Sequence, residues 1–142
     1  VGFAQALQQI QQIQQQQIQQ PENPPQENPP QENPPQQAQT EWVLLLACDL
    51  PYLQAKVLQD WASQLPAVAA STIALLPQNP QGWWEPLCGF YRLHCLPDLE
   101  VFIAQGGRSF QGWLATQKVQ PLPLANPQML FNCNTPQDFS QI

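Results

Sequence analysis

Asp49 stands immediately after the most apolar run of the chain, WVLLLAC at residues 42–48, and is followed by Leu50 and Pro51. A continuous run of that length reads as a strand buried on both faces of a parallel sheet, and in open sheets of this kind ligands bind beyond the carboxyl ends of the strands. A carboxylate there, without a positive neighbour in sequence, is stabilised either by holding a cation or by capping a helix opened by Pro51; capping is the commoner use. For a cation, Mg2+ suits the place, because it takes one or two carboxylates and fills its other positions with phosphate oxygens and water. Asn132 and Asn134 alternate in FNCNTPQDF. Two amides one residue apart can meet a polar ligand or complete a metal shell, or they simply precede a helix start at Thr135-Pro136 with Asp138. Arg108 follows Gly106-Gly107, and a flexible glycine pair exposing N–H groups beside an arginine can bind phosphate, although most arginines are merely solvated.

Other chemistry-bearing residues point less far. Four cysteines, at 48, 88, 95 and 133, are widely spaced and His94 is the only histidine. Cys88, His94 and Cys95 could be drawn as a zinc set, but the close C-x2-C pair usual in such sites is missing, and buried reduced thiols in a cytoplasmic protein are the better reading. Trp83-Trp84 in a Pro/Gly-rich loop could stack on a planar ring, although such pairs more often pack under the loop. Four Lys or Arg stand against ten Asp or Glu, for a net charge of −6. Nucleic acid and anionic lipid are therefore not expected partners. The longest apolar run is strand-sized, well short of the roughly 18 to 20 residues of a membrane helix, and no basic start followed by an apolar stretch directs secretion.

The elements that must position these residues follow from periodicity. Phe3, Leu7, Ile10, Ile13 and Ile18 recur at helical steps among Ala and Gln, which predicts an amphipathic helix over residues 1–18. Three copies of ENPPQ then fill residues 22–36, and such a repeat, rich in proline and without apolar residues, is expected to be extended and disordered across 19–40. Past Glu41, the 42–48 strand leads to a helix from Pro51 with Leu53, Val57, Trp61 and Leu65 four apart. Further strands are expected at 72–76, 87–93 and 118–122, and further helices at 97–104, closed by the glycine pair, and at 110–115. Strands alternating with helices mean an α/β layer architecture, a doubly wound sheet that is incomplete.

Taken in order, ACDLPYL at 47–53, EPLCGFYR at 85–92, AQGGRSFQGWL at 104–114 and FNCNTPQDF at 131–139 resemble the molybdenum cofactor guanylyltransferases. The resemblance covers residues 41 to the end, and residues 2–7 are similar to the family helix that precedes the ACD strand. It implies a Rossmann-like three-layer nucleotidyltransferase fold carrying a Gln/Pro-rich insertion, with residues 1–18 and 41–142 in one domain. It also implies Mg-dependent transfer of a guanylyl group from GTP to the terminal phosphate of molybdopterin. Asp49 would hold Mg2+ and organise the GTP phosphates; Gly2 would leave room in the nucleotide pocket. Arg108, Asn132 and Asn134 would meet the pterin and its phosphate, with Asn134 also assisting the metal. The acceptor phosphate is already a nucleophile at neutral pH, so no catalytic base is required.

One departure is large. The family opens with a glycine-rich loop of the type LAGGxSxRMGxDK that grips the triphosphate, and these 142 residues contain none. The chain therefore reads as a fragment, expected to be inactive alone and to expose strand edges that favour self-association. Other cofactor-biosynthesis or molybdoenzyme-maturation proteins are conceivable partners. The alternatives are a non-catalytic remnant or interaction module acting through the ENPPQ repeats, and a related cytidylyl-transferring enzyme.

Overall fold

Successive side chains of a strand point to opposite faces of its sheet, and all three residues of β2 (Ala74–Leu76) are buried. Ala74 and Leu76 enter one apolar cluster while Leu75 enters another. A core therefore lies on each side of the sheet in this computed structural model, which describes residues 2–18 and 41–140.

The first core is covered by α1 (Gly2–Ile18), α3 (Leu96–Ala104) and α4 (Phe110–Leu114), through Ala4 and Leu7, Leu96 and Leu99, and Trp113 and Leu114. The second lies under α2 (Ala55–Ala62), whose Trp61 is buried against Leu75, Cys88 and Phe90. The molecule is thus the expected three-layer α/β sandwich. Glutamine-rich as it is, α1 is held by its buried face. A fully buried leucine such as Leu7 contributes roughly 1.5–3 kcal/mol, and the Phe3 ring meets Tyr91 edge-on at 4.8 Å. Ile13 does not belong to that face: it is 54% exposed.

The sheet runs β1 (Trp42–Leu46), β3 (Cys88–Arg92), β2, β4 (Val119–Pro121). β2 and β4 are parallel, whereas β3 is antiparallel to both β1 and β2. The expectation of a wholly parallel sheet fails at this one strand, for a physical reason. A parallel crossover needs a dozen or more residues and usually a helix; the connector at 77–87 carries neither, so the chain turns straight back. β1 is correspondingly not buried on both faces. Its one strand neighbour among the described residues is β3, and Leu44 and Leu46 are 39% and 38% exposed.

A buried arginine ties the amino-terminal edge together. Arg92 at the end of β3 is 3% exposed; its Nε donates to the Thr72 carbonyl at 2.9 Å and its Nη2 to those of Val68 and Ala69 at 3.1 and 3.3 Å. The same guanidinium pairs with Glu41 and lies over the Trp42 ring, 4.2 Å from its centroid. The expected extended ENPPQ segment lies outside the described residues.

Candidate functional site

β1, β2 and β4 share one direction, so their carboxyl ends lie at one edge of the sheet, and the connectors that follow them meet there. The amide of Ala47 donates to the Leu87 carbonyl at 2.7 Å and the amide of Cys133 donates to the Asp49 carbonyl at 2.9 Å. Three segments are thereby laced: the ACD turn after β1, the Glu85–Leu87 approach to β3, and the Asn132–Asn134 stretch.

Asp49 is half-buried in a turn. The expected capping role falls, because α2 starts only at Ala55 and the residue at its cap position is Gln54. Pro51 instead lies in a turn closed by the Leu53 amide donating to the Leu50 carbonyl at 3.2 Å. Among the described residues the Asp49 side chain has neither a hydrogen-bond partner nor an ion-pair partner. No group of three His, Cys, Asp or Glu able to hold a metal occurs among them either. A lone carboxylate at a strand end fits a hard cation that arrives with its own phosphate oxygens and water, and it does not fit an ion needing an all-protein cage.

Asn132 and Asn134 are exposed beside it. Asn132 lines a cavity of about 100 Å3 with Ala47, Glu85 and Cys88. What fixes the pair is the next helix, α5 (Pro136–Phe139), which opens with the expected cap at Thr135. The Thr135 hydroxyl accepts from the Asp138 amide at 3.2 Å, and Asp138 Oδ2 accepts from the amides of Thr135 at 2.8 Å and Asn134 at 3.1 Å. Hydrogen bonding with Thr135, and then with the Asn134 amide, holds the Asp138 carboxyl below the usual carboxylate range. The capping motif and the asparagine pair are one device: the cap takes up the backbone amide of Asn134 and leaves its side chain free of partners among the described residues.

Arg108 and Gly2 line a different cavity, of about 240 Å3, at the junction of α1, α3 and α4, together with Phe102, Phe110 and Trp113. The glycine pair before Arg108 is the expected helix closure and not the alternative, a flexible phosphate loop. Gly106 has φ +89°, and the amides of Gly106 and Gly107 donate to the carbonyls of Ile103 and Phe102, both at 3.0 Å, closing α3. The Phe102 ring leaves no room for a side chain at Gly107. With the amides of the pair taken up in this way, it is the exposed guanidinium of Arg108 that stays available to an anion at this turn. At Gly2, by contrast, a Cβ would meet nothing within 4 Å, so that glycine is not required by packing.

Gln111 links the two regions: its Nε2 donates to the Trp84 carbonyl at 2.6 Å, joining α4 to the connector that carries Glu85. A larger cleft of about 740 Å3 adjoins, with Glu85, Tyr52, Gln128 and Phe131 on its walls. The drawn zinc set does not form. Cys88 and Cys95 are buried in different clusters and His94 is exposed. All four cysteines are free; Cys48 is exposed rather than buried. Trp83 is 61% exposed, and only Trp84 packs on the core. Sequence reasoning passed over Glu85 and Trp113, whose positions depend on how the 77–87 connector and α4 fold back. No helix among the described residues is long and apolar enough to cross a membrane.

Comparison with known proteins meets this geometry. Probable molybdenum cofactor guanylyltransferases from a Nostoc species and from Synechococcus elongatus are 58% and 46% identical to the chain over 106 residues, 75% of it and 51% and 54% of those proteins. The crystal structure of molybdopterin-guanine dinucleotide biosynthesis protein A from Archaeoglobus fulgidus superimposes with a TM-score of 0.58 at 26% identity, over 71% of this chain and 53% of that one. The chain thus spans about half the length of the curated relatives it matches. With the model of the MobA-like NTP transferase domain matching residues 2–119, the chain belongs to that family.

Proposed function

We propose that this chain is the metal- and acceptor-binding portion of a molybdenum cofactor guanylyltransferase, acting in the cytoplasm. In the reaction, an oxygen of the terminal phosphate of molybdopterin attacks the α-phosphorus of GTP. The bond from that phosphorus to the bridging oxygen of the β-phosphate breaks, and pyrophosphate leaves. The observation that carries the reading is the lacing of Asp49 to the Asn132–Asn134 stretch at the carboxyl edge of the sheet. It joins the backbone of Asp49, whose carboxylate makes no hydrogen bond or ion pair among the described residues, to the stretch that carries two amides likewise without such partners.

Asp49 would hold Mg2+, with Asn134 assisting, and the ion supplies charge neutralisation on the phosphates when bound. The chain's own part is positioning. Asn132 and Asn134 orient the acceptor, and Arg108 meets its anionic end. No base is needed for a phosphate nucleophile, which agrees with His94 lying exposed and away from the edge residues. Gly2 keeps the nucleotide role implied by the resemblance only if guanosine reaches its cavity; its place next to Arg108 favours the acceptor.

The test is product analysis with the protein expressed from its complete reading frame, supplied with molybdopterin, Mg2+ and either GTP or CTP. Guanine dinucleotide cofactor and pyrophosphate in equal amounts are expected with GTP alone. Preference for CTP would move the assignment to a cytidylyltransferase, and no product with either would leave a non-catalytic module.

A further inference from the structure

Glu85 is half-buried in the connector between β2 and β3. Its backbone is pinned on both sides: its amide donates to the Pro77 carbonyl at 2.9 Å, and its carbonyl accepts from the Cys88 amide at 3.3 Å. The neighbouring Trp84 carbonyl is held in turn by Gln111. The carboxylate, by contrast, makes no hydrogen bond or ion pair among the described residues. A fixed backbone thus presents an unpaired group that can only accept, and it does so where two cavities meet. Glu85 lines the cleft of about 740 Å3 and also the cavity of about 100 Å3 that carries Asn132, and it is the one charged residue on either wall among the described residues.

The rest of the cleft selects the shape of a partner. The rings of Tyr52 and Phe131 stand 6.1 Å apart between centroids with planes 49° apart, and Pro127 and Leu130 extend the apolar surface. Asn79 Oδ1 is already taken by the amides of Gln81 and Trp83, both at 3.0 Å. A flat ring suits such walls, provided that it brings N–H donors to the carboxylate. An anionic group would be repelled. A 2-amino-4-oxopyrimidine ring has the required edge: its N3–H and its 2-amino group point the same way, and two such bonds to one carboxylate are charge-assisted.

Resting on the acceptor reading above, we propose that Glu85 is a specificity residue for the pterin ring of the acceptor, its two oxygens accepting from the ring N3–H and the 2-amino group. The anionic end of the acceptor, which the carboxylate repels, is then left to Arg108 and the asparagines. Guanine carries the same edge, but the cleft shares Glu85 with the wall of Asn132 and so lies on the acceptor's side. A ring with oxygen in place of the 2-amino group sets two acceptors face to face and is rejected. Glu85 acts through orientation alone and takes no part in bond making or breaking.

The test uses the protein from its complete reading frame and two fluorescent probes, 6-hydroxymethylpterin and 6-hydroxymethyllumazine, which carry an amino group and an oxygen respectively at ring position 2. At mildly acidic pH both are neutral. The parent should bind the pterin about 10- to 100-fold more tightly than the lumazine. Glu85→Gln should remove or reverse that preference, because the amide oxygen accepts from N3–H while the amide nitrogen donates to the 2-oxo group. A tighter hold on the lumazine cannot come from a damaged fold. Phe131→Leu, which takes a ring from the wall, should weaken both probes and keep their ratio. Equal binding of the two probes by the parent, binding of neither, or a preference that survives in Glu85→Gln would overturn the proposal. So would competition by GTP for the pterin that Glu85→Gln relieves, which gives the carboxylate to guanine. None of these outcomes touches the product analysis: the acceptor reading stands while the parent still joins GTP to molybdopterin, and falls if it does not. Should Glu85→Gln fail to fold, the parent's ratio and its persistence in Phe131→Leu decide.

Discussion

The backbone amide of Cys133 donates to the carbonyl of Asp49 at 2.9 Å. This one bond sets the distance between the metal-binding and acceptor-binding halves of the proposed site, because Asn132 and Asn134 flank its donor. The stretch is held from the other side by the cap at Thr135 and Asp138. Asp138→Ala should therefore loosen the asparagine pair without touching Asp49. A five- to tenfold rise in KM for molybdopterin is expected, with KM for Mg-GTP unchanged. Steady-state kinetics with each substrate varied in turn checks it.

The same carboxyl gives a pH dependence. Its folded-state pKa is lowered, first by Thr135, so its contribution to stability is present above the unfolded carboxylate value and is lost as pH falls through the folded one. The acidic limb of thermal stability should accordingly be shallower in Asp138→Asn than in the parent, as melts at successive acidic pH values would register.

Arg92 is expected to be the costliest polar position in the fold. Arg92→Met strands the carbonyls of Val68, Ala69 and Thr72 at the amino edge and releases Glu41 and Trp42. Because Glu41 itself is exposed, the ion pair contributes less than the three hydrogen bonds. A loss of about 2–4 kcal/mol in urea unfolding is expected.

Burial sorts the thiols. It pushes Cys88 up to about 11 and Cys95 up to about 12, with Glu85 and Asp98 adding to the effect in turn. Cys48 is exposed and should react first with a disulfide reagent at neutral pH, Cys133 more slowly, and the two buried thiols only on unfolding. Their raised values mean that stability is fully kept below about 9, where the unfolded thiols are still protonated, and falls as pH climbs toward the folded values. Ready labelling of Cys95 in the native chain would contradict this packing.

The sequence disclosed the layered α/β class and most elements, because WVLLL, the α3 stripe with its glycine closure and the Thr-Pro-x-Asp cap are all local signals. It did not disclose the reversal of β3. That depends on the length of a connector rather than on any residue within the strand, and Cys88–Arg92 is buried on both faces in either direction. At the site, Asp49 and the two asparagines were legible as separate motifs. Their lacing was not, since a hydrogen bond between positions 49 and 133 leaves no periodic trace. The glycine pair offered two readings, a helix cap and a phosphate loop, and the Phe102 ring and the bonds back to α3 decide for the cap.

Asp49 is the most direct place to test the assignment. Its side chain makes no hydrogen bond or ion pair among the described residues, so Asp49→Asn should leave stability within about 0.5 kcal/mol of the parent. In the protein from its complete reading frame, guanylyl transfer at saturating Mg-GTP should fall on the order of 100-fold or more. That loss, together with an unchanged melting temperature, is the expected result; an Asp49→Asn protein that forms guanine dinucleotide cofactor at the parent rate would contradict the metal site and the function built on it.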